Sequence, residues 1–147
     1  MIKVCDNISV KELVCPHIYA KWGDKAIRFI NPNAIAVLDV IRNKILKRPI
    51  RINNNTWKQR GMRCNLCQLV ADKTKKQQPY LSAHVLGTGF DFDCPGLTVP
   101  QVHELIKKNA HLLPCKIRLE SPINAPTWCH FDIMTYGQKE QVYVFRA

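Results

Sequence analysis

The stretch SAHVLGTGFD, residues 82–91, constrains the fold of this chain more than any other segment. His84 and Asp91 stand seven positions apart, which in a regular helix would separate them by two turns and about 10 Å of rise. Their side chains can meet only if the chain reverses between them. Gly87 and Gly89 supply the backbone freedom that such a reversal needs. Aromatic residues then alternate with aspartates, which is typical of a strand with one apolar face.

A third candidate ligand besides His84 and Asp91 is His130, which lies in the apolar segment WCHFDIM, residues 128–134. Strand alternation places it on the same face as Trp128 and Asp132. Imidazole and carboxylate are good zinc ligands, and catalytic zinc uses three protein ligands with a fourth position open to water. His84, Asp91 and His130 could together form such a set. Spacing alone leaves open the alternative that His130 is a hydrogen-bonded core residue.

Periodicity predicts mixed helices and short strands without a βαβ rhythm, and hence an α+β fold. Helices are expected over residues 34–47, 63–76 and 99–109, the last capped by Thr98. Strands are expected at residues 48–54, 115–120, 128–134 and 141–147. The length of 147 residues indicates one domain. We expect residues 1–33 to pack on it as an N-terminal extension.

The seven cysteines are an odd number in a chain of ordinary size, which favours reduced and mostly buried thiols over a disulfide scaffold. Cys64 and Cys67 form a CxxC pair. A zinc ribbon would need a second such pair, and a redox pair would need a thioredoxin-like βαβ setting. We therefore interpret these two cysteines as thiols on adjacent turns of a packed helix.

Residues 42–76 contain eleven basic residues and one acidic residue, which gives +10 of the chain's formal charge of +11. Such a block attracts polyanions. Nucleic acid and anionic bacterial envelopes are both candidate partners. The alternative is that the basic residues form only a solvent-exposed face without a partner. Because no nucleic-acid recognition motif accompanies the charge, we do not expect nucleic acid as the partner. The sequence also predicts no membrane span, no signal peptide and synthesis in the cytoplasm.

The quoted segments resemble the M15 family of zinc peptidases, which includes D-alanyl-D-alanine carboxypeptidases and phage endolysin peptidases. That family carries SxHxxGxAxD, followed near its C-terminus by a WxH-type segment. SAHVLGTGFD matches the first, with Gly89 where alanine is usual, and TWCHFD supplies the last histidine. The resemblance covers about residues 48–147. It implies a small α+β domain with a central antiparallel sheet flanked by helices, shared with the Hedgehog signalling domain, and one zinc ion on His84, Asp91 and His130.

The resemblance also implies catalytic and substrate-binding roles. The family's general base commonly stands three residues before the last histidine, where this chain has Thr127, which cannot accept a proton from water at neutral pH. Glu120 is our preferred substitute, although it could instead pair with Arg118 or cap a strand edge. A family arginine that holds the substrate corresponds to Arg60 or Arg63, and we favour Arg63. We expect Ser82 to shape the ligand loop and to contribute to substrate binding, and Asp132 to orient a histidine.

The expected function is therefore zinc-dependent hydrolysis of peptidoglycan stem peptides or cross-links, as a carboxypeptidase or an endopeptidase. The missing signal peptide and basic charge fit a monomeric bacteriophage lysis or virion-associated enzyme that reaches the cell wall by another route. The alternative is a zinc-containing module that binds the cell wall and has lost catalysis, since Thr127 provides no base.

Overall fold

A computed structural model describes residues 3–147 as a single α+β domain, which confirms the predicted fold class. Its helices are α1 (Val10–Leu13), α2 (Pro16–Trp22), α3 (Pro32–Asp39), α4 (Gln68–Lys75), α5 (Ala83–Leu86) and α6 (Val99–Lys108). Its strands are β1 (Lys3–Cys5), β2 (Ile8–Ser9), β3 (Gly89–Phe92), β4 (Ile117–Glu120), β5 (Cys129–Asp132) and β6 (Val142–Phe145). Within these described residues no helix has both the length and the apolar character needed to cross a bilayer.

The central sheet has the strand order β3-β5-β4-β6. Neighbours β3, β5 and β4 pair antiparallel, as expected, but β6 runs parallel to β4. The prediction of a wholly antiparallel sheet is therefore wrong at this edge. The chain between β5 and β6 does not turn back beside β5. It passes to the far side of β4, so β6 pairs with β4 in the same direction. The predicted positions of β4, β5 and β6 are confirmed.

The register of the sheet separates an apolar face from a polar face. Phe90 pairs with Phe131 while Asp91 pairs with His130, so alternate residues point to opposite sides. Both phenylalanines are fully buried, as are the other large residues of that face. These residues form one hydrophobic core with α3, α6 and residues of the first 33 positions, so the N-terminal segment is built into the domain. The polar side chains collect on the other face.

Two predicted helices are confirmed in position. The helix expected over residues 34–47 begins at Pro32, where the Asn31 side chain accepts a hydrogen bond from the Asn33 amide, and continues as π-helix over Val40–Leu46. Thr98 caps α6 as expected, accepting a hydrogen bond from the Gln101 amide. The strand expected at residues 48–54 is wrong, because this segment makes only an isolated bridge between Arg51 and Asp93.

The helix expected over residues 63–76 begins late, at Gln68. The reason is tertiary: the Met62 amide donates to the Leu13 carbonyl over 2.7 Å, and the Arg63 amide donates to the His84 carbonyl over 3.1 Å. These bonds hold the chain extended. Cys64 and Cys67 therefore lie in a turn before α4, and their placement on adjacent helical turns is wrong.

Candidate metal centre and the surrounding cleft

The short helix α5 and the turn after it place His84 opposite Asp91. The Ser82 hydroxyl accepts a hydrogen bond from the Val85 amide, which caps α5 and matches the role expected for Ser82. Gly87 ends the helix in the left-handed region with φ +69°, and a Cβ there would lie 2.4 Å from the Phe29 carbonyl oxygen. Only glycine fits this crowded turn. The reversal predicted from the sequence is present.

The three predicted ligands meet on the polar face of the sheet. Asp91 Oδ1 lies 2.8 Å from His130 Nδ1 and 3.3 Å from His84 Nε2, and the two imidazole rings are 5.2 Å apart. All three side chains are buried. One ligand atom from each lies within 4.8 Å of the others. The group has the residue types and the spacing to hold a metal ion.

Each histidine has its other ring nitrogen held by an acceptor. His84 Nδ1–H donates to the Gly61 carbonyl over 3.0 Å, which leaves Nε2 facing Asp91. His130 Nε2–H donates to Asp132 over 2.9 Å, which leaves Nδ1 facing Asp91. Such acceptors fix the tautomer and ring orientation of metal-binding histidines and raise their basicity. Asp132 therefore occupies the orienting position expected for it.

The Asp132 carboxylate is itself held in place. Arg118 donates to its two oxygens over 2.8 and 2.9 Å, in a bidentate pair. The Arg118 guanidinium also lies 4.1 Å from the Phe145 ring centroid. This pairing extends the network from β5 to β4 and β6. The residue pattern of the sequence does not predict this pair, although Arg118 and Asp132 lie on predicted strands that follow one another along the chain.

The pKa values of Asp91 and His130 reflect these contacts. Burial raises the pKa of Asp91, but hydrogen bonds from His130 and His84 outweigh it and hold that pKa well below its usual value. Burial lowers the pKa of His130, but hydrogen bonds to Asp132 and Asp91 raise it to about 9. Near neutral pH His130 therefore carries a proton and donates hydrogen bonds to both Asp91 and Asp132. A bound cation would replace that proton.

A cleft of about 340 Å³ opens over the three ligands. Arg63 lines it and is buried, with its Nε donating to the Gln59 carbonyl over 2.6 Å and its Nη1 donating to the Tyr80 hydroxyl over 3.0 Å. Its Nη2 lies 3.5 Å from Asp91 Oδ2. Arg63 thus stands where a substrate-binding arginine was expected. Tyr80, which holds it there, was not predicted.

Arg60 is not part of this cleft. Its Nη1 lies 2.5 Å from Asp93 Oδ1, and its guanidinium stacks 4.2 Å from the Trp57 ring centroid. Because Asp93 is also paired with Arg51, the three side chains form a separate ion-pair cluster. The expectation that Arg60 binds substrate is therefore not supported by its position, whereas Arg63 does line the cleft.

Glu120 lines the same cleft as His84, Asp91 and His130, and it is partly buried. Burial raises the pKa of its carboxyl group. Within residues 3–147 its carboxylate has no hydrogen bond or ion pair, and its neighbour Arg118 is occupied by Asp132. The alternative that Glu120 pairs with Arg118 is thus excluded. Thr127 is exposed and lines a different cleft, beside Asp93.

A second group of metal-type ligands was not predicted from the sequence. Cys15, His17, Cys64 and Cys67 bring their ligand atoms within 4.8 Å of one another. The available signal was the pairing of a CPH segment at residues 15–17 with CNLC at residues 64–67. All seven cysteines are free of disulfides, and four of them are buried, as expected.

Comparison with protein-family models, curated proteins and solved structures found no match to this chain. Support for a function comes from the side chains of the cleft and from the motif resemblance.

Proposed function

We propose that this protein is a zinc-dependent peptidase that hydrolyses peptide bonds in peptidoglycan stem peptides or cross-links. The observation that carries the proposal is the mutual position of His84, Asp91 and His130. Their inward-facing atoms converge at the base of a cleft, while the outward nitrogens of both histidines are held by acceptors. Two further cleft residues, Glu120 and Arg63, have the chemistry that peptide hydrolysis needs.

Zinc suits this donor set. Two neutral imidazole nitrogens and one carboxylate are a common ligand set for catalytic zinc, whose fourth position stays open to water. His84 would bind through Nε2 and His130 through Nδ1, because their other nitrogens are taken by Gly61 and Asp132. Asp91 is already ionised in this environment, so it would present an anionic oxygen. We propose one zinc ion at this centre.

Bound zinc would polarise the attacking water and the scissile carbonyl, so that attack occurs near neutral pH. Glu120 would accept the proton of that water, because its carboxylate lines the cleft without a competing partner among residues 3–147. Its raised pKa makes it a stronger base than an exposed glutamate. The proton would then pass to the amine leaving group.

Arg63 would hold the substrate. Its guanidinium is fixed by Gln59 and Tyr80, yet the terminal nitrogens still have N–H groups to spare. A planar guanidinium binds a carboxylate or carbonyl through parallel hydrogen bonds. Stem peptides of peptidoglycan offer both groups. Their choice as substrate comes from the motif resemblance, and the basic segment at residues 42–76 fits an anionic cell wall. A bacteriophage lysis or virion-associated role is consistent with the peptidoglycan substrate and with the basic segment.

The test is digestion of purified cell-wall sacculi by the zinc-loaded protein, with released fragments identified by mass spectrometry. We expect fragments whose masses correspond to peptide cleavage, and we expect a chelator to stop their release. Glu120→Gln should slow the reaction by about 100-fold or more, the usual contribution of a general base, while zinc content stays unchanged. Glu104→Gln, on the exposed side of α6, is the matched control and should cleave normally.

The competing function is a zinc-containing module that binds cell wall without cleaving it. Exposed Thr127, at the position where the resemblance implies a base, is the observation that favours it. This module would co-sediment with sacculi and release no fragments when fully loaded with zinc. That result would refute the peptidase proposal. Fragment release that Glu120→Gln abolishes would refute the binding-only function.

A further inference from the structure

The cluster of Cys15, His17, Cys64 and Cys67 lies outside the cleft and has no part in the proposed hydrolysis. We propose that it is a second, structural zinc site, closed by three thiolates and one imidazole. Cys15 and Cys67 are buried, Cys64 is partly buried, and His17 covers the outer side. This proposal is independent of the peptidase function, since it uses none of the cleft residues.

The distances between these side chains fit a tetrahedral zinc ion. Zinc–sulfur bonds of about 2.3 Å and zinc–nitrogen bonds of about 2.0–2.1 Å give tetrahedral edges of about 3.8 Å between sulfurs and about 3.6 Å between sulfur and nitrogen. Cys15 Sγ lies 3.6 Å from Cys64 Sγ. His17 Nδ1 lies 3.7 Å from Cys64 Sγ and 3.9 Å from Cys67 Sγ. A Cys15–Cys64 disulfide would instead need about 2.05 Å.

The backbone holds the two ligand-bearing segments side by side. Val14 and Met62 form a parallel bridge, and the Cys15 amide donates to the Met62 carbonyl over 2.8 Å. The Cys67 amide donates to the Cys64 carbonyl over 3.1 Å, which closes the CxxC turn. The Leu66 amide points to Cys64 Sγ at 3.4 Å, a contact that stabilises a thiolate. The ligand positions are therefore set by the fold.

The chemistry of the donors selects zinc and a structural role. Thiolate-rich tetrahedral sites favour zinc over harder cations such as magnesium or calcium. Four protein ligands close the coordination shell, whereas a catalytic zinc keeps an open position. The site would fasten the start of α2 to the loop before α4. Because Arg63 directly precedes Cys64, the same ion would stiffen the backbone that carries Arg63 into the cleft.

The first experiment counts metal ions and identifies their ligands in the full-length protein, purified under reducing conditions. Native mass spectrometry should find two zinc ions per chain. After replacement by cobalt, absorption should show the thiolate-to-cobalt charge-transfer bands that only a sulfur-ligated ion gives. A protein that holds one ion and lacks those bands would overturn the proposal, as would a Cys15–Cys64 disulfide in the reduced preparation.

Variants distinguish metal binding at the cysteine cluster from metal binding at the cleft site. His84→Ala should lose one zinc ion and keep the sulfur-to-cobalt bands, so failure of the cleft site leaves this proposal testable. His17→Ala, at an exposed position that should not disturb the core, should weaken the second ion and alter those bands. Cys115→Ser is the control for loss of a thiol outside the cluster and should keep both ions. Bands that persist unchanged in His17→Ala would refute the assigned ligand set.

Discussion

Replacing Asp132 with asparagine tests whether the candidate metal centre depends on the residue that orients His130. The Asp132 carboxylate is 1% exposed and accepts hydrogen bonds from His130 Nε2 at 2.9 Å and from Arg118 at 2.8 and 2.9 Å. Asparagine keeps the shape but removes the charge. Its amide group would also direct N–H bonds towards either His130 or Arg118, both of which are donors. His130 would be held less firmly and would be a weaker base.

The expected loss follows from this arrangement. Removing an acceptor behind a metal-binding histidine usually costs about 10- to 100-fold in metal affinity. Each factor of ten corresponds to about 1.4 kcal/mol, so the loss should be about 1.4–2.8 kcal/mol. The Arg118 side chain is 28% exposed, so its guanidinium can gain contacts with water once its partner is neutral. The main effect should therefore appear in metal binding and not in unfolding of the domain.

The assay is equilibrium competition with a chromophoric zinc chelator, combined with native mass spectrometry to count ions. The binding step that His84→Ala abolishes identifies the cleft site. Asp93→Asn is the matched control, because Asp93 also pairs with arginines near β3 but does not contact either histidine. It should leave zinc affinity unchanged. Wild-type affinity in Asp132→Asn would refute the inference that His130 binds metal through Nδ1 while Asp132 holds Nε2.

Three further predictions concern pH, substrate and folding. His130 has a pKa of about 9 and must lose its proton to bind zinc. The zinc affinity of the cleft site should therefore rise about tenfold per pH unit below pH 9 and level off above it. A chelator titration from pH 7 to 10 in which the zinc affinity does not change would contradict this. Arg63→Lys keeps the charge but loses the planar fork, so KM for stem peptides should rise more than kcat falls, measured by steady-state fragment release; an unchanged KM would remove Arg63 from substrate binding. Gly87→Ala places a Cβ 2.4 Å from the Phe29 carbonyl oxygen, at a residue with φ +69°. The free energy of unfolding, measured by urea titration, should therefore fall by more than about 1 kcal/mol. An unaltered urea midpoint would contradict the geometry.

The sequence was sufficient to predict that His84, Asp91 and His130 come together, but only because the motif resemblance grouped them. The glycines between His84 and Asp91 indicated a chain reversal, and strand alternation indicated the face of the strand on which His130 lies; both features are present. The pairing of Arg118 with Asp132 depends on which strands become neighbours. Strand order is set by contacts between distant segments, so alternation within each strand could not predict this pair.

The cysteine cluster also depends on contacts between distant segments, which local sequence patterns do not predict. Cys15 and Cys64 are separated by 49 positions, and each pair of ligands alone is an incomplete site. Helical propensity predicted that residues 63–67 belong to the helix α4, but Met62 and Arg63 donate hydrogen bonds to Leu13 and His84, and residues 64–67 form a turn. Tertiary hydrogen bonding overrode a local preference worth only a few tenths of a kcal/mol per residue. Neither charge nor spacing in the sequence indicated these hydrogen bonds of Met62 and Arg63.

The pairing of Asp91 with His130 in the β3–β5 register means that correct folding of the sheet also brings these two residues of the candidate metal centre together. A slip of one residue would turn Asp91 towards the phenylalanine core and expose Phe90 in the cleft, since every side chain would change sides. Burial of the core strongly disfavours such a slip. A folded chain therefore has Asp91 and His130 already aligned, and a metal ion at the candidate centre could bind after folding without serving as the template for it.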